Sequence, residues 1–323
     1  PILVDGRPIA QSVEVDDPYT YQRKYTSAQM YSAVTGFYSI VYKPTGMEGA
    51  TNDLLSGTAD QLFYRRLSDL FTGREPQGAS VELTIDPKVQ KAAWDALGDQ
   101  KGAVVALDPK TGAILAMVSQ PTFDPNDLAG HDLSALDENY KKLNTDPQRP
   151  LVNRSINGDL YPPGSIFKVI TAAAALSSGE YTEDSMLPGP AVLELPGTTA
   201  SLPNMFPGAC GANDQVSFTR AMAISCNTAF ASVGMDIGAD ALRAQAEKFG
   251  FGDSLSVPMR VTPSTIPAEL NMPQLAQSSI GQFDVRVTPL QMAMVAAGVA
   301  NDGAVMKPYL VQSVIGSDLS VIE

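Results

Sequence analysis

The sequence predicts an α/β protein in which a small, partly β N-terminal domain precedes a larger mixed domain. Three observations predict it. The N-terminal part is rich in tyrosine and contains short alternating segments such as 32–42. Two apolar runs, at 103–107 and 113–118, flank a turn sequence, and the pattern beyond about residue 160 is mostly helical. We place the two domains at residues 1–79 and 80–323.

The composition indicates a globular protein and argues against several functions. The chain has 323 residues, 44% of them hydrophobic and 18% charged, which is enough to bury a sizeable core. A net charge of −13 argues against a nucleic-acid partner, because phosphates bind basic surfaces. A zinc site would need the single histidine, His131, and both cysteines to converge, and a Ser-His-Asp triad would depend on His131 alone. We expect no metal and no cofactor, and we interpret His131 as a loop residue.

A linker at 74–78 should lead out of the N-terminal domain, and the larger domain should then contain a helix whose two ends are marked in the sequence. Asp86 is a favourable N-cap, Pro87 suits the first helical position, and Gly98 can end the helix. The apolar residues between them follow the helical period: Val89, Ala92, Ala93, Ala96 and Leu97.

The runs at 103–107 and 113–118 predict a β-hairpin, because Asp108-Pro109-Lys110-Thr111-Gly112 between them is a turn sequence. The strands are apolar on both faces, so we expect a sheet that is covered on two sides. A two-stranded hairpin is marginal by itself, and the sequence offers few further strands before 306–315.

The helical part of the chain should be interrupted by two loops, at 187–207 and 257–273. Its longest apolar run, 290–300, is shorter than the roughly 18 residues of a membrane span. The acidic stretch 124–138 lacks the glycine and glutamate positions of a calcium loop.

Ser165 and Lys168 are the first candidate catalytic residues. Proline and glycine precede them, and an alanine-rich run follows, so we expect Ser165 at a helix N-terminus with Lys168 one turn later on the same face. The positive end of a helix favours developing negative charge. A lysine shielded from water loses its proton more easily and can then take the proton of the serine. Such a pair performs nucleophilic catalysis without histidine.

Ser225 and Asn227 are the second pair of candidates. They flank Cys226 within a stretch, 219–233, that we predict to be helical. The serine could relay protons, and the asparagine could donate a hydrogen bond to a substrate amide. The similar sequence Ser155-Ile156-Asn157 precedes Ser165, and we interpret it as a structural turn.

Together these residues resemble a known family. The order Ser-x-x-Lys, Ser-x-Asn, Lys-Thr-Gly is typical of penicillin-binding transpeptidases and serine β-lactamases. Further stretches resemble the class B penicillin-binding proteins, in particular their actinobacterial members. These stretches are 34–39, 71–74, 107–117, 153–154, 161–165, 225–230, 279–282, 288–291 and 301–303.

The resemblance implies a penicillin-binding transpeptidase fold: an antiparallel sheet flanked by helices, a helical subdomain, and a small N-terminal non-catalytic domain. By resemblance Ser165 is the acylated nucleophile, Lys168 its general base, and Ser225 with Asn227 the second wall of the site. The implied substrates are peptidoglycan stem peptides ending in D-Ala-D-Ala, with β-lactam antibiotics acylating the same serine. The resemblance also implies that the protein lies at the outer face of the cytoplasmic membrane, held by an N-terminal anchor absent from this chain. Its implied protein partners are those of cell-wall synthesis or division.

The sequence departs from this family in one respect. Its only Lys-Thr-Gly, Lys110-Thr111-Gly112, precedes Ser165 and has the residues of a turn. We therefore expect the family's third motif and the remaining strands of the sheet in a segment after Glu323, so that the transpeptidase domain is incomplete here. Two alternatives stay open: a catalytically inactive penicillin-fold binding protein, and a β-lactam-hydrolysing or β-lactam-sensing relative.

The two cysteines, Cys210 and Cys226, are compatible with either a disulfide or two free thiols on their number alone. The extracytoplasmic place that the resemblance implies favours the disulfide, which would tie the loop 202–211 to the Ser-x-Asn motif.

Overall fold

The computed structural model describes residues 1–59, 77–318 and 320–322. The chain forms two compact units. The first contains 1–158, 255–262 and 300–323, and the second contains 159–254 and 263–299. The stretch 71–74 and most of the linker 74–78 lie outside the described residues. The division into domains at 79 and 80 stays a prediction.

The described elements are numbered here in chain order. The strands are β1 Ile2–Val4, β2 Arg7–Glu14, β3 Tyr21–Tyr25, β4 Ser80–Leu83, β5 Gly102–Leu107, β6 Ile114–Gln120, β7 Met186–Pro188, β8 Val192–Glu194, β9 Ser201–Pro203, β10 Gln215–Ser217 and β11 Val311–Ile315. The helices are α1 Ala28–Thr35, α2 Gly46–Ala50, α3 Asn52–Leu55, α4 Pro87–Leu97, α5 Leu133–Thr145, α6 Lys168–Ser178, α7 Phe218–Ala223, α8 Asn227–Lys248, α9 Met272–Ser278 and α10 Pro289–Ala300.

The first unit contains a five-stranded sheet in the order β11-β4-β1-β2-β3. Strands β1 and β4 are parallel, and the other neighbours are antiparallel. The partly β character of the N-terminal region is therefore present, but the alternating segment 32–42 is not a strand. Its first residues belong to α1, because Tyr31, Val34 and Thr35 are buried at helical spacing.

Helix α4 has the ends that its sequence predicts. The Asp86 carboxylate accepts hydrogen bonds from the backbone N–H groups of Lys88 and Val89, and Gly98 follows the last turn with a φ of 52°. The buried Gln90 ties the helix to its neighbours. Its side chain donates to the carbonyl oxygens of Met30 and Met117 and accepts from the N–H group of Met117.

The predicted hairpin is also confirmed, as β5 paired antiparallel with β6. Lys110 and Gly112 lie in its turn, where their N–H groups donate to the Asp108 carboxylate and carbonyl oxygens, both at 2.8 Å. This Lys-Thr-Gly is a turn and not a strand, as predicted. Among the described residues β5 pairs only with β6, and it is half-buried along its whole length.

His131 lies in a loop, as predicted, and it has two partners. Its Nδ1 atom is hydrogen-bonded to the carboxylate of Asp17, and its ring lies 4.5 Å from that of Tyr19. In the described part of the chain, no helix combines the length and apolar character needed to cross a membrane. The same part contains no cluster of potential metal ligands.

The second unit is built on α6 and α8. Small residues of these helices, among them Ala172, Ala175 and Ala229, form one buried cluster with larger side chains such as Phe230. The region 187–207 is not only a loop, since it carries β8 and β9, and β7 precedes them and pairs with β10. This sheet structure brings the loop residues of that region into fixed positions beside α8.

Candidate active site

Ser165 lies at the start of a helical segment. It follows Gly164 in a 3-10 turn, Gly164–Phe167, that leads directly into α6, and it is exposed. The N–H group of Gly164 donates a 2.9 Å hydrogen bond to the carbonyl oxygen of Gly281. A Cβ atom on Gly281 would collide with the carbonyl group of Gly164, so this close approach requires glycine. The serine hydroxyl is thus accessible at the positive end of a helix.

Lys168, the first residue of α6, is only 1% exposed. Its Nζ atom lies 3.1 Å from Ser165 Oγ, 2.9 Å from Ser225 Oγ and 2.8 Å from the Ser225 carbonyl oxygen. Its fourth partner is Oδ1 of Asn227, at 2.6 Å. The structure therefore brings together all four residues that the sequence singled out, and the Lys168 amine is the group they share.

The burial of this amine shifts it toward its neutral form. Burial lowers the pKa of Lys168 from 10.5 to about 8. A neutral amine has two N–H groups and one lone pair. The Ser225 carbonyl oxygen and Asn227 Oδ1 can only accept hydrogen bonds, so they use the two N–H groups. The lone pair then remains for a hydroxyl proton, and the hydroxyl groups of Ser165 and Ser225 are the two within reach.

The helix predicted at 219–233 is broken at the Ser225 position. Helix α7 ends at Ala223, Ser225 has a φ of 58°, and α8 begins after Cys226. In a continuous helix the Ser225 carbonyl oxygen would accept from the N–H group of Ala229. Here that N–H group donates instead to Cys226 Sγ, at 3.4 Å. The break therefore releases the Ser225 carbonyl group for Lys168.

Both polar atoms of the Asn227 side chain form hydrogen bonds within the protein. It is 5% exposed; its Oδ1 accepts from Lys168, and its Nδ2 donates a 3.1 Å hydrogen bond to the carbonyl oxygen of Pro203. The sequence suggested that this amide donates to substrate. Pro203 occupies one of its two N–H groups, which leaves one for that role.

Cys210 and Cys226 form a disulfide, as predicted. The bond joins the loop after β9 to the residue between Ser225 and Asn227. Gly189 packs against it, and a Cβ atom at that position would lie 3.0 Å from Cys210 Cβ. The disulfide therefore links the break between α7 and α8 covalently to the loop after β9.

Sequence reasoning missed Asn204, which contacts the same break. Its Oδ1 accepts from the backbone N–H groups of Asn227 and Thr228, at 3.1 and 3.2 Å. The only signal in the sequence is a polar residue between prolines in a region read as a loop. Such a signal does not identify a contact across 23 positions.

A cavity of about 740 Å³ lies elsewhere, within the first unit. Its walls include Lys43, Asp53, Asn157 and Arg260, and none of the four candidate residues lines it. It contains no pair comparable to Ser165 and Lys168, so we place no acyl-transfer chemistry there.

Comparison with known families gives two matches that together cover most of the chain. Residues 102–321 match the family model described as penicillin binding protein transpeptidase domain. Residues 1–81 match the model described as penicillin binding protein A dimerisation domain.

Curated relatives and solved structures agree with these matches. The chain is 48% identical to the peptidoglycan D,D-transpeptidase PbpA of Mycolicibacterium smegmatis and 45% identical to that of Mycobacterium tuberculosis, over 99% of its own length in each case. It spans 66% of the length of these relatives. It superposes with a TM-score of 0.95 on penicillin-binding protein A from M. tuberculosis in a penicillin G acyl-enzyme complex. That match has 45% identity and covers 100% of this chain and 75% of the other.

Proposed function

The chain belongs to the penicillin-binding protein transpeptidase family, and from this we propose that it acts as a peptidoglycan D,D-transpeptidase with Ser165 as its acylated nucleophile. One observation carries the proposal: the buried Lys168 amine touches Ser165, Ser225 and Asn227 at once. The proposed substrates are stem peptides that end in D-Ala-D-Ala, which fits the D,D-transpeptidase activity after which the relatives are named.

The proposed reaction begins at the hydroxyl group of Ser165. The lone pair of Lys168 Nζ takes the hydroxyl proton, and Ser165 Oγ bonds to the carbonyl carbon between the two terminal D-alanines. The peptide C–N bond then breaks, and the leaving amine receives a proton through the Ser225 hydroxyl group, which lies 2.9 Å from Lys168 Nζ. The donor peptide is now an ester of Ser165, and D-alanine leaves.

The second half of the proposed reaction forms the cross-link. The amine of another stem peptide bonds to the ester carbonyl carbon and gives up a proton to Lys168. The C–O bond to Ser165 breaks, the serine regains its proton, and a new peptide bond joins the two stems. A β-lactam would acylate Ser165 by ring opening, but its nitrogen stays attached to the acyl group and blocks the acceptor. A penicillin G acyl-enzyme of the relative from M. tuberculosis supports this part of the proposal.

We also propose that the protein acts at the outer face of the cytoplasmic membrane, held there by an anchor outside this chain and working with proteins of cell-wall synthesis or division. The Cys210–Cys226 disulfide supports an oxidising compartment.

Labelling with a fluorescent penicillin tests the proposal. We expect one labelled site in the full-length protein, Ser165 by peptide mapping, and no label in Ser165→Ala. The matched control is Ser177→Ala, an exposed serine of the same helix α6, which should label normally. Label at another residue, or undiminished labelling of Ser165→Ala, would refute the assignment.

A further inference from the structure

We propose that Asn204 is a positioning residue of this active site, which holds Asn227 in place and through it the Lys168 amine. The inference rests on the proposed roles of Ser165 and Lys168. Asn204 follows β9 and lies 23 positions before Asn227 in the sequence, and its side chain reaches the first turn of α8.

Both N–H groups and the oxygen of the Asn204 carboxamide form hydrogen bonds within the protein. Its Oδ1 accepts from the N–H groups of Asn227 and Thr228, and its Nδ2 donates to the carbonyl oxygens of Pro190 and Gly208, at 3.0 and 3.2 Å. The residue is 9% exposed. A buried amide with both N–H groups and its oxygen engaged has one orientation, so it can fix what it touches.

These contacts complete the N-terminal cap of α8, which Cys226 provides only in part. The first N–H groups of a helix have no partner inside the helix. In α8, Cys226 Sγ satisfies only the N–H group of Ala229, whereas Asn204 satisfies those of Asn227 and Thr228. The start of α8 is therefore fixed by a residue from another part of the chain.

The same segment also fixes the Asn227 side chain. The Pro203 carbonyl oxygen, adjacent to Asn204, accepts from Asn227 Nδ2, and this leaves Asn227 Oδ1 aimed at Lys168 Nζ, 2.6 Å away. If Asn204 is lost, both the backbone and the side chain of Asn227 can move. Lys168 then loses one of the two pure acceptors that orient its lone pair toward a hydroxyl group.

The first test is the rate constant of penicillin acylation per acylatable molecule in Asn204→Ala. We expect a decrease of about tenfold or more, because a misplaced catalytic group typically loses at least that much. Thr199→Ala, an exposed residue of the turn between β8 and β9, is the control and should match the unmodified protein. A residue with only a structural role would lower the fraction of acylatable molecules and leave their rate constant unchanged, and that result would overturn the proposal.

A double-mutant cycle with Asn227→Ala tests the route. If Asn204 acts through Asn227, Asn204→Ala should slow acylation less than about twofold in the Asn227→Ala background, since interacting residues are not additive. Full additivity would overturn the proposal. If Asn204→Ala does not fold, Asn204→Ser takes its place in both tests, because its short hydroxyl cannot reach both N–H groups and both carbonyl oxygens.

Failure of this inference is distinguishable from failure of the proposed function. If Ser165→Ala loses the label while Asn204→Ala acylates normally, only the role of Asn204 is wrong. If Ser165→Ala keeps the label, the proposed function itself is wrong, whatever the result for Asn204→Ala.

Discussion

The two walls of the candidate site are built in different ways. The first wall, Ser165 and Lys168, comes from one helical turn: the residues are three positions apart, and Lys168 Nζ reaches Ser165 Oγ within that turn. The second wall, Ser225 and Asn227, is a break between two helices that distant residues hold in place. These are Asn204 and Cys210, 23 positions before Asn227 and 16 before Cys226.

This difference means that the first wall depends on local helix geometry, whereas the second depends on the folding of distant segments. The first wall forms wherever the turn and α6 form, because its spacing is a property of the helix. The second wall requires the region 187–210 to fold against α8. Changes in the first wall should therefore affect the reaction with little effect on stability, whereas changes in the supports of the second wall should affect both.

The largest effect should come from Lys168. We expect Lys168→Met to slow penicillin acylation on the order of a thousandfold, because it removes the general base while a side chain of similar length still fills the buried site. The control is Lys248→Met, an exposed lysine at the end of α8. Stopped-flow or gel measurements of acylation over time give the rate. A loss of less than tenfold would mean that another group takes the Ser165 proton.

The same contrast between local and distant contacts explains what could be predicted from the sequence. The ends of α4 at Asp86 and Gly98, the turn around Lys110 and the pairing of Ser165 with Lys168 all depend on residues a few positions apart, and each was predicted. The break at Ser225 was missed because 219–233 has the residues of one helix and the forces that interrupt it come from elsewhere. The segment 32–42 was interpreted as part of a β region, but its first residues belong to α1. Alternation of residue types in a short segment does not show which side chains are buried, and here the buried ones follow the helical period.

Long-range side-chain contacts were missed for the same physical reason. Nothing near Asn204 or Gln90 in the sequence indicates that each would engage backbone groups more than 20 positions away. The Cys210–Cys226 pair is the exception, because each cysteine has one possible partner in a chain of two and the extracytoplasmic place implied by the family resemblance favoured the bond.

The next largest effect should follow loss of the disulfide. In the double variant Cys210→Ser, Cys226→Ser, we expect the free energy of unfolding to fall by about 3 kcal/mol, the loop-closure estimate for a spacing of this size. Serine at 226 can still cap α8. Denaturant unfolding measures the loss, and acylation should slow as well, because the bond fastens the second wall. Reduced, unmodified protein is the matched comparison. Unchanged acylation in the folded variant would show that Asn204 alone holds this wall.

A smaller effect, tied to the first wall, should appear in the pH dependence. The pKa of Lys168 is lowered to about 8, and the base is the deprotonated form. The acylation rate should therefore rise about tenfold per pH unit well below that pKa and level off above it. The initial rate with fluorescent penicillin, measured between roughly pH 6 and 9, provides the profile. A rate that still rises about tenfold per pH unit at the upper end of that range would show that the pKa stays near its ordinary value of 10.5 and that the amine is not desolvated in solution.

The smallest expected effect tests whether the first wall is truly local. Besides the contact of Gly164 with Gly281, it has a distant contact through Thr171. Thr171 lies in the turn of α6 after Lys168 and is fully buried, and its hydroxyl group donates a 2.7 Å hydrogen bond to the carbonyl oxygen of Ser279. Thr171→Val keeps the shape and removes this bond, so we expect a loss of about 1 kcal/mol in the free energy of unfolding. Thr171→Ser keeps the hydroxyl group and is the control for it. Acylation should change less than about threefold in Thr171→Val, because the contact of Lys168 with Ser165 is set within its own turn. If acylation instead falls as far as in Asn204→Ala, the first wall also depends on distant supports, and the contrast between the two walls is wrong.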